Sequence, residues 1–314
     1  MLLKMKILIV CSKNSGRIAP FIVEQVDSLI KAGFLMDYFT IESKGWKGYL
    51  KNRKSLLKKI KEFKPDLIHA HYGLSGFLAN LQRRVPVVTT YHGSDINDRK
   101  VYPFSRLCMM VSKQNIFVSE NVAFKSLKRD LNNRKNYSLI PCGVDVNLFV
   151  PMDKEKARQK LKLDDGKQYV LFAGSFTNEV KNPSLAMEAA ALIPEISLLE
   201  LKGYTREEVS LLMNAVDAVL MTSFTEGSPQ FIKEAMACNC PVVSVPVGDV
   251  QEEIEGVAGC YITSYEPDDV AKKIKLALDF SLRTNGRQRI LERELNLETV
   301  AKKIAAIYRK VISL

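Results

Sequence analysis

No stretch of the chain is apolar over the roughly 20 residues that a membrane-spanning helix needs, so a transmembrane reading is excluded at the outset. The apolar run nearest the start, Ile7 to Val10, is also too short for a secretory h-region, and it reads as a first buried strand. Six cysteines (Cys11, Cys108, Cys142, Cys238, Cys240, Cys260) are scattered among apolar neighbours, and none shows the CxxC spacing of a zinc or redox centre. Cys238 and Cys240 form a CxC, but the second enters a strand, which makes buried packing their role. Reduced thiols in a cytosolic protein are the expectation. Histidine is scarce too: His69, His71 and His92 are the whole supply, so a two-metal hydrolytic site built on them with Asp95 would be poorly furnished. Zinc-finger, RNP-like aromatic and recognition-helix patterns are absent, which leaves no support for a nucleic-acid partner.

What is present is an uneven charge. The formal net charge is +11, and residues 1–148 hold 25 Lys and Arg against 11 Asp and Glu, leaving the remainder slightly acidic. The basic half must face something anionic. Part of the excess lies in WKGYLKNRKSLLKKIKEFK, Trp46 to Lys64, where Tyr49, Leu50, Leu56, Leu57, Ile60 and Phe63 share roughly one helical face. Two readings fit equally: a helix lying on an anionic bilayer, or a surface helix with its apolar side on the core and a solvated lysine face.

Apolar runs alternate with helical periodicity along the whole chain, the signature of parallel α/β architecture. In the first half KILIV, FLMDYFTI, DLIHAHYG, VPVVTTYHG, NIFVSE and YSLIPCGV read as strands; in the second, YVLFAGS, ISLLEL, DAVLMTS, CPVVSVPVG and GCYIT do. Helices are expected at 20–31, 74–83, 104–110, 120–130, 183–191, 205–215, 229–237, 268–279 and 297–312. The turn-rich stretch PCGVDVNLFVPMDKEKARQ reads as a linker. The economical model is two doubly wound Rossmann-like domains facing a cleft, residues 1–147 plus 298–314 and residues 148–297, the second one small. In such sheets ligands gather beyond the carboxyl ends of strands, where His71, His92, Ser119, Gly143, Gly174 and Glu226 all fall.

The most informative stretch is EGSPQFIKEAMACNCPVVS, Glu226 to Ser244. Ser228 is placed to cap a helix whose first residue is Pro229, and the amides of Gln230 and Phe231 would then face an anion with the positive end of the dipole behind them. Glu226 precedes this helix and Glu234 lies inside it. Two carboxylates so placed suit polyols, since each offers two acceptor oxygens to neighbouring hydroxyls.

This span resembles the Glu-x7-Glu motif of retaining, family 4 type glycosyltransferases of the GT-B fold. NSGR, HAHYG, YHGSD, FVSE, PCGVDVNLF and AGSFTNEVKNP match in the same order, and the form EGSPQFIKEAMACN is most similar to enzymes that assemble bacterial cell-surface polysaccharides. The resemblance implies a nucleotide-sugar donor and a glycan or lipid-linked acceptor. Glu234 would hold ribose hydroxyls, Glu226 the donor sugar, and Lys181 the diphosphate, while His92 would sit over the reacting centre. Gly16, Gly174, Ser175, Gly227, Ser228, Pro229, Gln230 and Phe231 would complete the donor site. His71 and Asp95 would lie on the acceptor side, although His71 also fits a satisfied core histidine and Asp95 a turn cap.

Two departures stand out. Many members of the family carry arginine where this chain has Ser175, so Lys181 and the helix amides would bear more of the diphosphate charge. The stretch between residues 191 and 217 is also short for the family. No Asp-x-Asp motif is present to bridge a divalent metal to the diphosphate, so transfer without metal or other cofactor is expected. A cytosolic enzyme, peripheral on the inner membrane face, is the resulting expectation. The rival is a catalytically weak, membrane-docked subunit of the same fold; a sugar-nucleotide epimerase or metal hydrolase fits the residues less well.

Overall fold

A computed structural model describes residues 5–128 and 136–313 of the chain. Each of the eleven apolar runs forms a strand: β1 Lys6–Ser12, β2 Leu35–Ile41, β3 Leu67–His71, β4 Val87–Tyr91, β5 Gln114–Phe117, β6 Tyr137–Leu139, β7 Gln168–Phe172, β8 Ile196–Glu200, β9 Ala218–Met221, β10 Val242–Ser244 and β11 Cys260–Ile262. The chain divides into two compact units, Met1–Gly143 with Leu297–Leu314, and Val144–Asn296.

In the first unit the strand order is β2-β1-β3-β4-β5-β6, and in the second it is β11-β10-β9-β7-β8, with every pairing parallel. The two sheets repeat one doubly wound pattern, the second with one strand fewer. Chain direction across the sheet reverses between β1 and β3 in the first unit and between β7 and β9 in the second. Loops leaving the carboxyl ends of those strand pairs open the crevice where such folds bind ligands. The central strands are almost wholly buried, as parallel strands covered by helices must be, and β3 carries His69 and His71 on one of its faces.

The last helix, Leu297–Ile312, belongs to the first unit. Val300, Ala301, Ile304, Ala305, Ile307, Tyr308 and Val311 recur at helical spacing and pack on Ile22, Val26 and Leu29 of the helix Pro20–Lys31. That registry explains why the C-terminal segment returns to the N-terminal sheet.

The basic segment is two helices, Gly45–Lys51 and Arg53–Phe63, broken at Asn52. Tyr49 and Leu56 are buried against Leu8, Val10 and Ile68, with Ile60 and Phe63 packed beside them. Burying a leucine so fully stabilises by about 1.5–3 kcal/mol, which holds this apolar face on the core; of the two readings the surface helix is correct.

The stretch expected as a linker is largely structured. Val144 donates to Leu295 O and pairs with Asn296, Phe149 is fully buried in the second core, and Asp153 caps the helix Lys154–Leu161 by accepting from the Lys156 amide at 2.9 Å. The expected helix 120–130 runs as Glu120–Lys128, and residues 129 and 130 lie outside the described residues.

Candidate functional site

In the second unit, the loop after β7 and the loop after β9 are clipped together at the switch point. Thr222 Oγ1 donates to the carbonyls of Lys181 (3.0 Å) and Asn182 (2.8 Å), and the Phe224 amide donates to Val180 O (3.0 Å). Lys181 closes a single 3-10 turn, Glu179–Lys181, whose start is capped by the Asn178 side chain. Its stem passes over Gly174, where a Cβ would stand 2.9 Å from Lys181 Cγ. Glycine is thus required for the lysine to cross the strand end. Lys181 Nζ meets Glu226 Oε1 at 2.6 Å, with both side chains about four-fifths buried. The sequence assigned these two residues separate partners; the structure brings them into one ion pair.

The helix that follows is Gln230–Ala237, one residue later than expected, and Pro229 occupies its cap position without a side-chain bond. Ser228 does not cap it. Its hydroxyl accepts instead from Lys233 Nζ at 2.5 Å, because Lys233 is wholly buried and a buried ammonium must be hydrogen-bonded. The Phe231 side chain is buried in the core, so only its amide belongs to the loop end of the helix. The EGSP loop is backed by Gly248, which has φ +63° and lies so near that a Cβ would come within 2.9 Å of Gly227 O.

Glu234 is buried, and its Oε1 accepts from Arg206, whose guanidinium lies 4.8 Å from the Phe149 ring centre. Sequence reading missed Arg206, although its setting was visible. Thr205 caps the helix Arg206–Ala215 in a reciprocal box with Glu208, which fixes the arginine in the first turn. Glu200, at the end of β8, was missed as well. Its Oε2 accepts from the Phe176 amide (2.9 Å) and the Ser175 hydroxyl (3.2 Å), so Ser175 is tied to a carboxylate.

In the first unit, His92 follows β4 directly, and Gly93 with φ +105° turns the chain there. His92 Nε2 lies 3.1 Å from His71 Nδ1, and its Nδ1 is 3.7 Å from Cys142 Sγ. Phe21 and Tyr72 pack on the same ring at 4.9 and 4.6 Å. His71 is fully buried, its Nδ1 turned to His92 and its Nε2 without a hydrogen-bond partner among the described residues. His69 turns to Tyr308 and Thr90, at 2.5 and 2.7 Å. The three rings stack in series without converging on one point, and among the described residues no group of three or more His, Cys, Asp or Glu could hold a metal ion. Burial keeps all three imidazoles neutral, holding His71 down to about 3 and His69 and His92 well below the usual value.

Asp95 acts as a clamp. It accepts from the amides of His92, Gly93 and Gly73 at 3.1, 3.0 and 2.9 Å, and burial raises its carboxyl to about 6 despite those bonds. It also lines a cavity of about 370 Å³ beyond β1, β3 and β4, with Ser12, Asn14, Arg17 and Tyr72 on the walls. Gly16, at φ +85°, sits in the loop that forms one side of that cavity, between Ser15 and Arg17.

Comparison with known proteins agrees with this architecture. A model described as Glycosyltransferase Family 4 matches residues 24–148, and one described as Glycosyl transferases group 1 matches residues 196–279. D-inositol 3-phosphate glycosyltransferase of Mycolicibacterium gilvum is 26% identical over 249 residues, covering 65% of this chain and 56% of that protein. A Bacillus subtilis glycosyltransferase, TuaC, named for teichuronic acid biosynthesis, is 28% identical over 220 residues, covering 61% of this chain and 56% of its own length. The chain thus spans somewhat over half the length of the curated relatives it matches. Among solved structures, sucrose-phosphate synthase of Thermosynechococcus elongatus superposes with a TM-score of 0.84 at 18% identity, over 99% of both chains. The Anabaena protein HepE, solved in complex with UDP and glucose, gives 0.71 at 19% identity over 98% of this chain and 100% of its own. At these identities the structures speak for the fold alone. With both halves matched by glycosyltransferase models and both sheets wound alike, the chain belongs to the glycosyltransferases of the GT-B fold.

Proposed function

We propose that the chain transfers a sugar from a nucleotide-sugar donor to a hydroxyl of a glycan or lipid-linked acceptor, with retention of anomeric configuration and without a metal. The observation that carries this reading is the placement of Lys181 and Glu226 on the two loops at the β7/β9 switch point, with Glu234 inside the helix that follows. Arg206 engages one oxygen of Glu234 and fixes the plane of its carboxylate, and the other oxygen accepts from the ribose hydroxyls. Glu226 accepts from hydroxyls of the donor sugar and, through its ion pair, aims the Lys181 ammonium at the diphosphate. Lys181 and the amides at the start of Gln230–Ala237 stabilise the charge that grows as the C1–O bond to the nucleoside diphosphate breaks. The acceptor oxygen bonds to C1 on the same face, and its proton passes to the departing phosphate oxygen. Glu226 is then a stabiliser of the sugar and forms no bond to it, unlike the nucleophile of a retaining glycosidase.

Support for a nucleotide-sugar donor comes also from HepE, whose structures hold UDP, glucose and UDP-glucose. A role in cell-surface polysaccharide assembly accords with the name of the Bacillus subtilis relative. The basic first half suits work at the anionic inner face of the cell membrane; no helix among the described residues is long and apolar enough to cross it. The test is donor turnover, with the anomeric configuration of the product followed by NMR in the presence of chelator. Retained configuration at undiminished rate is expected. Inverted product, a rate restored only by metal, or no turnover of any nucleotide sugar would overturn the proposal.

A further inference from the structure

Tyr49 and Leu56 of the two basic helices are spent on the core, so a docking surface must take most of its apolar part from elsewhere. The helix Tyr102–Val111 supplies one. Its inner face, Ser105, Cys108 and Met109, is buried against the helix Gly73–Asn80, where Gly73 and Gly76 approach so closely that a Cβ would meet Ser105 and Cys108. Its outer face presents Leu107, Met110 and Val111, exposed by 43, 55 and 51%. Two ring contacts extend this strip: Phe77 edges Phe104 at 5.4 Å, and Trp46, itself 43% exposed, stacks on Phe104 at 5.8 Å. Phe77, Leu107 and Val111 also line a groove of about 500 Å³ rimmed by Arg83, Arg84 and Lys113. At the other end Lys47 Nζ lies over the Trp46 ring. Among the described residues lining the groove, none is acidic.

We infer that the first unit seats on an anionic bilayer through this strip, with Trp46 and the Leu107–Val111 face entering the headgroup boundary and Lys47, Arg83, Arg84 and Lys113 binding lipid phosphates. An apolar stripe about 15 Å long, with an indole at one end and a groove beside it that carries cations and no acid, matches an anionic interface in both polarity and charge. A protein partner would call for a mixed-sign rim, which the groove does not have. The strip deepens the membrane part of the proposed function and is independent of its donor chemistry. It also replaces the lysine face of Arg53–Phe63 as the principal contact.

Trp46 is the single tryptophan of the chain, so its emission reports on the strip directly. The full chain is mixed with vesicles of phosphatidylcholine alone, or with phosphatidylglycerol added, some carrying brominated acyl chains. A blue shift and quenching are expected with the anionic vesicles. Leu107→Gln/Met110→Gln/Val111→Gln should abolish co-sedimentation, and Arg83→Gln/Arg84→Gln/Lys113→Gln should weaken it by on the order of a hundredfold at low salt, roughly fivefold per cation. Lys54→Gln/Lys58→Gln/Lys59→Gln should weaken it less. The substituted side chains are exposed, except that Lys59 is partly buried and pairs with Asp37, and unchanged circular dichroism with unchanged thermal shift by nucleotide shows that folding and the donor site survive. Unshifted Trp46 emission, wild-type sedimentation of the apolar variant, or loss confined to the Lys54 set would overturn the inference. Failure of nucleotide binding in every variant and in the wild type would instead strike the donor reading.

Discussion

Replacing Glu226 with glutamine separates binding from transfer in a direction peculiar to this site. The Lys181–Glu226 pair is short, 2.6 Å, and about four-fifths buried, so its loss costs the fold more than that of an exposed pair, about 1–3 kcal/mol. Glutamine keeps a hydrogen bond and removes the charge, so thermal stability should move by no more than a few degrees. Binding of the nucleoside diphosphate should become tighter, by roughly three- to tenfold, because the Lys181 ammonium is no longer neutralised by a carboxylate that competes with phosphate. Transfer should nevertheless fall about a hundredfold or more, since the sugar loses a charged acceptor aimed at it. The contrast is Lys181→Met, which forfeits a charge-assisted bond worth about 1.5–3 kcal/mol and should weaken diphosphate binding by roughly 10- to 150-fold. Titration calorimetry with the nucleoside diphosphate and a coupled turnover assay read the two effects. If Glu226→Gln weakens diphosphate binding as much as Lys181→Met, or turns over at the wild-type rate, the assignment of these two residues is wrong.

Glu234→Gln should erase discrimination between a ribonucleotide and its deoxy analogue, measured as the ratio of their dissociation constants, while Arg206→Met should reduce that ratio in part by releasing the carboxylate plane. Acid should unfold the first unit early. His69, His71 and His92 are held neutral in the fold and bind protons once unfolded, so stability is whole above pH 6.5 and declines as pH falls below it, for His71 until about pH 3; chemical denaturation at stepped pH checks the direction of the slope. Gly248→Ala should cost about 1–2 kcal/mol and weaken donor binding together, because the new Cβ meets Gly227 O at a left-handed φ; a melting temperature lowered without any change in affinity would contradict the link to the EGSP loop.

The fold was legible because its strands are the apolar runs themselves, and parallel strands buried on both faces leave little ambiguity. Boundaries were less so. MDKEKARQ is nearly all polar, and the helix Lys154–Leu161 shows itself only through its Asp153 cap and one buried stripe, signals easily read as linker. At the site, the residue types at strand ends were readable, but partners were not. Nothing in local spacing announces that Lys233 lies wholly buried against Ser228, or that Glu200, 25 residues from Ser175, closes on that hydroxyl. The second of these is created by the β7–β8 adjacency, which is topology and not pattern. The Trp46 to Lys64 segment shows the opposite case: its amphipathic pattern was plain, yet only packing could say which surface its apolar face covers.

The most direct test of the donor site is a thermal-shift panel of UDP, GDP, ADP and their sugars, run in chelator on the wild type and on Glu234→Gln. At a hundred times its dissociation constant, the fitting nucleotide should stabilise by about 2.7 kcal/mol, or roughly 5–10 °C, and this shift should collapse in the variant. A flat response of the wild type to every member of the panel, with or without metal, would contradict the account.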